Sequence, residues 1–174
     1  MAAAEPWFIA ERAEALAVVY LTRRHDVEVI PVSSAASHPG YDLLVQLRQG
    51  DAATRPSFRI VVKGARSPRH SNRGTGPASF PIAYKAGELA PNTIPICLFV
   101  FTVDDELGYY RWLQQPRITK GQATLRNNLP PTDQLFDQPD RIILNTAVAP
   151  LDNQAIQQLI AQVAQWYEVR RASA

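Results

Sequence analysis

A mixed β-sheet flanked by helices, an α/β (α+β) arrangement, is what this amino-acid order predicts, and three patterns carry it. Near the start, Ile9, Ala13, Leu16, Ala17, Tyr20 and Leu21 recur at helical spacing; near the end, Ile156, Leu159, Ile160, Val163 and Trp166 do the same. Between them lie short β-branched and aromatic runs separated by turn formers. One of these runs, Ile94–Val103, is continuously apolar, as a central strand buried on both faces would be.

The first helix is expected from Pro6 to Arg24. Pro6 suits a first-turn position, and Arg23-Arg24-His25 puts positive charge at the negative end of the helix dipole. Val27–Val32 reads as a strand, and Ser33–Gly40 as a loop of small and turn-forming residues. Tyr41–Leu47 and Phe58–Lys63 read as the next two strands, and their closeness predicts an antiparallel hairpin. Pro56 forbids a longer strand before Phe58. Ala65–Ser79 carries Pro68, Gly74, Gly76 and Pro77 and is expected to be a long loop. Ile82–Leu89 reads as a short helix or irregular turn, Tyr109–Leu113 as a return strand, Thr119–Leu135 as a polar connection, and Arg141–Asn145 as a last strand. Leu151–Val169 closes the chain as an amphipathic helix capped by Asp152 or Asn153. No internal repeat or linker interrupts residues 1–174, so one domain is expected.

Composition narrows the class. At 174 residues with 46% hydrophobic content, the chain is sized for a real core. No apolar run reaches the roughly 18–20 residues of a membrane span, and Met1–Glu5 lacks the features of a signal peptide. The single cysteine, Cys97, excludes an internal disulfide and a multi-cysteine zinc site, and fits a reducing cytoplasm. Net charge is only +2, yet Arg59, Lys63, Arg66, Arg69 and Arg73 fall in one stretch with His70 and no acid. Such a stretch either meets phosphate or is a solvated loop. The three histidines lack metal spacing, and neither a nucleophile elbow nor a complete phosphate loop is present. Tyr109, Tyr110 and Trp112 either stack on bases or pack within the sheet.

Two charged residues stand out because they open or end apolar runs: Asp42 in Tyr41–Val45 and Lys63 in Phe58–Gly64. Unpaired charge in a strand core is costly, so their presence asks for a reason. Phosphodiester hydrolysis supplies one: a divalent cation on the phosphate, hard oxygen ligands for it, and a group that positions or deprotonates water. The capping or strand-end reading is the bland alternative for each residue taken singly.

An acid-bearing helix (Glu11 or Glu14), Gly40-Tyr41-Asp42 opening a strand, and Ile60-Val61-Val62-Lys63-Gly64 on its neighbour together resemble the PD-(D/E)xK, or restriction-endonuclease-like, superfamily. The likeness is to a bacterial branch in which Gln or Glu precedes the lysine by two residues. It implies a nuclease-type core that binds DNA or RNA, uses Mg²⁺ or Mn²⁺, and serves bacterial defence or mobile elements. Asp42 would then be the metal ligand and Lys63 would orient water or stabilise developing charge. A helix glutamate, Glu11 by the family pattern or else Glu14, would assist. Val61 departs from the pattern and removes one oxygen ligand; either an acid from elsewhere replaces it, with Glu88 the best candidate, or the helix glutamate and Asp42 suffice. Arg66, Arg69, His70 and Arg73 would contact the nucleic-acid backbone. The same departure fits a second expectation: an inactive binding or interaction module, as a subunit of a larger assembly, a homodimer, or an immunity or adaptor protein that holds a protein partner.

Overall fold

Two antiparallel hairpin steps build the first edge of the sheet. The computed structural model describes residues 7–32, 40–51, 54–67, 78–89, 92–128 and 142–174. Helix α1 (Trp7–Thr22) leads into β1 (Val27–Pro31), which pairs antiparallel with β2 (Leu43–Leu47), which in turn pairs antiparallel with β3 (Ser57–Ala65). The expected hairpin between the strands that carry Asp42 and Lys63 is therefore present. After β3 the chain cannot turn straight back, because its next sheet neighbour, β5 (Ile96–Thr102), is parallel to it. The crossover holds β4 (Ala78–Tyr84) and the single-turn helix α2 (Ala86–Leu89). Then follow β6 (Leu107–Thr119), β7 (Gln122–Asn127), β8 (Ile142–Pro150) and helix α3 (Asn153–Ala172).

The eight strands run in the order β1-β2-β3-β5-β6-β8-β4, with β7 on the far half of β6. All seven residues of β5 are buried, as its unbroken apolarity predicts. One sheet face carries Phe58, Ile60, Val62, Phe99 and Phe101 and packs under α1 and α3. Ile9, Ala13, Ala17 and Leu21, each four apart, form the stripe that α1 buries. Ile156, Leu159, Ile160, Val163 and Trp166 do the same for α3. Each large side chain so buried contributes about 1.5–3 kcal/mol. The opposite face carries Val61, Leu98 and Val100 and is covered by Phe80, Ile82 and Tyr84 of β4, Val148 of β8, and Leu89 of α2. The α+β expectation therefore holds, with a folded-over β-ribbon forming one of the covering layers.

Local chemistry fixes the element ends. Asp152 caps α3 by accepting a 2.7 Å bond from the Ala155 N–H, and Arg170 and Arg171 occupy its last turn. Trp166 Nε1–H donates to the Thr124 carbonyl at 2.8 Å, tying α3 to β7.

Two strands were not expected. β4 replaces the start of the predicted short helix and contains Pro81, which an edge strand tolerates. Its partner, β8, lies far along the chain, with Pro81 opposite Asn145, so no local signal announces it. β7 replaces part of the polar connection. It is entered through Lys120 (φ 51°) and Gly121 (φ 76°), two left-handed residues in a row, as a two-residue hairpin turn requires. Trp112 is buried and Tyr109 and Tyr110 pack against the two core layers, so these aromatics form no exposed stacking platform.

Two glycines permit close approaches that matter below. A Cβ on Gly64 would lie 2.4 Å from Ile9 Cγ2 and 2.7 Å from the Ile9 carbonyl oxygen, so α1 rests directly on the backbone of β3. A Cβ on Gly40, which has φ +106°, would lie 2.2 Å from the Gly87 carbonyl oxygen in α2. Gly64→Ala is expected to lower stability by about 1–3 kcal/mol through overpacking. Thermal melting of the variant should fall by several degrees; an unchanged midpoint would show that α1 does not sit where described.

Candidate active site

Asp42 is fixed by its backbone before its side chain acts. Its N–H donates to the Ile60 carbonyl at 2.9 Å, and its carbonyl accepts from the Val32 N–H at 2.9 Å. It thus stands between β1 and β3, just ahead of β2. Its Oδ2 accepts a 2.7 Å bond from the Val62 N–H. Burial pushes the Asp42 carboxyl above the usual aspartate range, and the negative charge of Glu88 adds to this. The Val62 N–H and the charges of Lys63 and Lys85 oppose the rise without cancelling it.

Lys63 lies on β3, on the face opposite Val62 by strand alternation. Its Nζ donates to both carboxylate oxygens of Glu88, at 2.8 and 2.9 Å. The pair is largely removed from solvent, with side-chain exposures of 20% for Lys63 and 8% for Glu88. Glu88 Oε2 also accepts from the Lys85 N–H at 2.8 Å, while the Glu88 N–H donates to the Lys85 carbonyl at 3.0 Å. One side chain therefore closes the α2 turn and holds the lysine of β3. The Gly40–Gly87 contact sets α2 against the backbone beside Asp42.

From the other side, α1 supplies Glu14. Its carboxyl is pushed up by burial first, then by the negative charges of Asp42 and Glu11. The residue as a whole remains solvent-accessible, as does Glu11. The Glu14 carboxyl feels Asp42; the family pattern favoured Glu11. Asp42, just ahead of β2, is thus in electrostatic contact with Lys63 of β3, Glu88 of α2 and Glu14 of α1.

Val61 points into the apolar layer with Ile82, Tyr84 and Leu98 and is fully buried. A carboxylate there would enter a dry core, so Val61→Glu is a burial penalty rather than a simple restoration. Arg66 is exposed just past β3. Arg69, His70 and Arg73 lie outside the described residues.

Carboxylate oxygens are the right donors for Mg²⁺ or Mn²⁺. Among the described residues no three His, Cys, Asp or Glu side chains gather closely enough to hold a metal ion. Magnesium needs fewer protein ligands than that, since it commonly keeps several waters and takes one or two carboxylates plus substrate phosphate. Asp42 and Glu88 fit that smaller requirement by chemistry, with Glu88 engaged by Lys63 as the structure stands.

Comparison with family models, with curated proteins and with solved structures finds no match to this chain.

Two outcomes follow from the geometry. Lys63→Met leaves Glu88 without its cation in a poorly hydrated site and is expected to cost about 3 kcal/mol, near the low end for a broken buried pair. Adding Glu88→Leu should recover part of that loss in urea unfolding; strictly additive losses would mean the two groups do not interact. The second concerns pH. A carboxyl raised in the folded state binds its proton more tightly there than in the unfolded chain, so stability declines as pH rises through the raised value. In EDTA, Glu14→Gln should therefore be more stable than wild type at pH 7, and the difference should vanish below about pH 4, where glutamate is protonated in both states. A gap that persists at low pH would assign it to packing.

Proposed function

We propose that this chain is a nuclease-fold protein of restriction-endonuclease-like type that binds DNA or RNA and hydrolyses phosphodiester bonds with Mg²⁺ or Mn²⁺. One observation carries the reading: α2 delivers the Glu88 carboxylate to Lys63 and into the field of Asp42. The second acid that Val61 cannot supply is thereby available from the crossover instead of from the strand.

In this reading Asp42 and Glu88 hold the cation, which when bound supplies Lewis-acid charge at the scissile phosphate. Lys63 stays within reach of the phosphate and offsets charge that develops on its oxygens in the transition state. Glu14 stands beside Asp42, and its raised carboxyl is matched to accepting a proton from water nearer neutral pH than an ordinary glutamate. Arg66 at the end of β3 adds positive charge for the strand being cut.

The ion pair itself favours a second reading. Both Glu88 oxygens are spent on Lys63. If that pair never opens, the fold serves as a nucleic-acid or protein-binding module without hydrolysis.

Incubation with plasmid, single-stranded DNA and RNA in Mn²⁺ separates the two. Hydrolysis should appear, fall by at least about 100-fold in Asp42→Ala and Lys63→Ala, and stop in EDTA. Cutting that survives both substitutions would sink the site. Tight binding with no cutting in either metal would select the binding module.

A further inference from the structure

Among the described residues, Arg59 is a charged side chain with no acid in ion-pair contact. Strand alternation places Arg59, Val61 and Lys63 on the same face of β3, the face that Glu88 approaches. Its guanidinium carbon lies 4.4 Å from the centroid of the Tyr41 ring, and Tyr41 immediately precedes Asp42. Its Nε is buried and has no hydrogen-bond partner. The ion pairs among the described residues join Arg12 to Glu106, Arg24 to Asp26, Arg55 to Glu28 and Lys63 to Glu88, so none serves Arg59. Of the stretches outside the described residues, 33–39, 52–53, 68–77 and 90–91 contain no Asp or Glu in their sequence, while 1–6 holds Glu5 and 129–141 holds Asp133, Asp137 and Asp140.

A guanidinium held over an aromatic ring has lost much of its rotamer freedom, and its planar fork of N–H donors is pre-organised for an acceptor at its edge. That fork matches a phosphate in two-point contact better than a lysine does. The Arg59 and Lys63 Cα atoms are separated by four residues of strand, roughly 13 Å at about 3.3 Å per residue. A duplex strand advances about 3.4 Å per nucleotide along its axis, so groups this far apart meet different phosphates of one strand. We propose that the Arg59–Tyr41 stack is a backbone-phosphate clamp that holds a nucleic-acid strand a few nucleotides from the phosphate placed at Asp42 and Lys63. It rests on the nucleic-acid reading above. Arg59 is a positioning residue in it, and Tyr41 holds Arg59 in place.

The test is fluorescence anisotropy with a labelled 20-nucleotide DNA duplex, in EDTA so that nothing is cut, across a salt series. Arg59→Gln should weaken binding about tenfold or more and reduce the slope of log K against log salt by about 0.9, the signature of one lost phosphate contact. Arg59→Lys should keep the slope and lose several-fold in affinity, because the point charge remains and the fork does not. Tyr41→Leu should behave like Arg59→Lys. An unchanged slope in a folded Arg59→Gln protein would overturn the clamp. If Arg59→Gln fails to fold, wild-type affinity in Arg59→Lys would overturn it instead. Absence of duplex binding by wild type would remove the clamp, and absence of binding to labelled single-stranded DNA and RNA as well would remove the nucleic-acid reading. A wild type that binds with the expected slope changes and does not cut in Mn²⁺ would keep the clamp and discard hydrolysis.

Discussion

The bond between Lys63 and Glu88 is the contact on which the arrangement of this end of the molecule depends. Lysine carries its charge on a long apolar stem, and a poorly hydrated position is tolerable only if an acid meets it. Glu88 does so, and the same carboxylate also accepts the Lys85 N–H, closing the turn from which it projects. α2 is only four residues long, too short to be a stable helix by itself. Its position follows from the ion pair, from Leu89 in the core, and from the backbone approach to Gly40. The charge pair and the glycine thus do together what a longer amphipathic helix does elsewhere.

Around that bond, four elements converge for different physical reasons. β2 and β3 meet through ordinary antiparallel pairing, which puts the Asp42 N–H on the Ile60 carbonyl. β3 then pairs parallel to β5, and a parallel step forces a long crossover. That crossover has to pass over the sheet face that carries Lys63, which is how Glu88 arrives. α1 crosses the opposite face and reaches the same end because Gly64 lets it descend onto β3. The acids therefore come from outside the strand run that carries the lysine, and the run itself is left free to be apolar at Val61.

Much of this was legible in the sequence. The terminal helices, the Asp152 cap, the buried Ile94–Val103 run and the hairpin carrying Asp42 and Lys63 all follow from periodicity and turn chemistry, which are local. Glu88 was singled out only as a substitute for a missing acid; its partner on β3 is distant in sequence and no spacing reports it. β4 was hidden for the same reason, since its ladder is with β8 and its Pro81 argues locally against a strand. β7 was hidden by polarity, because only alternate residues of it are even partly covered. The Lys120-Gly121 pair was the one available sign of that turn. The choice between Glu11 and Glu14 depends on the rotation of α1, which the Ile9–Gly64 contact sets and which helical periodicity alone leaves open to several tens of degrees.

The proline in β4 has a consequence for how the molecule meets its own kind. A sheet whose borders offer unpaired N–H and C=O groups invites strands from neighbouring chains. Here one border strand ends on Pro31, another carries Pro81 at its centre, and the third, β7, is short, largely exposed and bears Arg126. Each border is interrupted by a missing donor or by a charge that must stay in water. Copies of this chain are thereby discouraged from zipping edge to edge along these strands, around a centre rich in valine, leucine, isoleucine and phenylalanine.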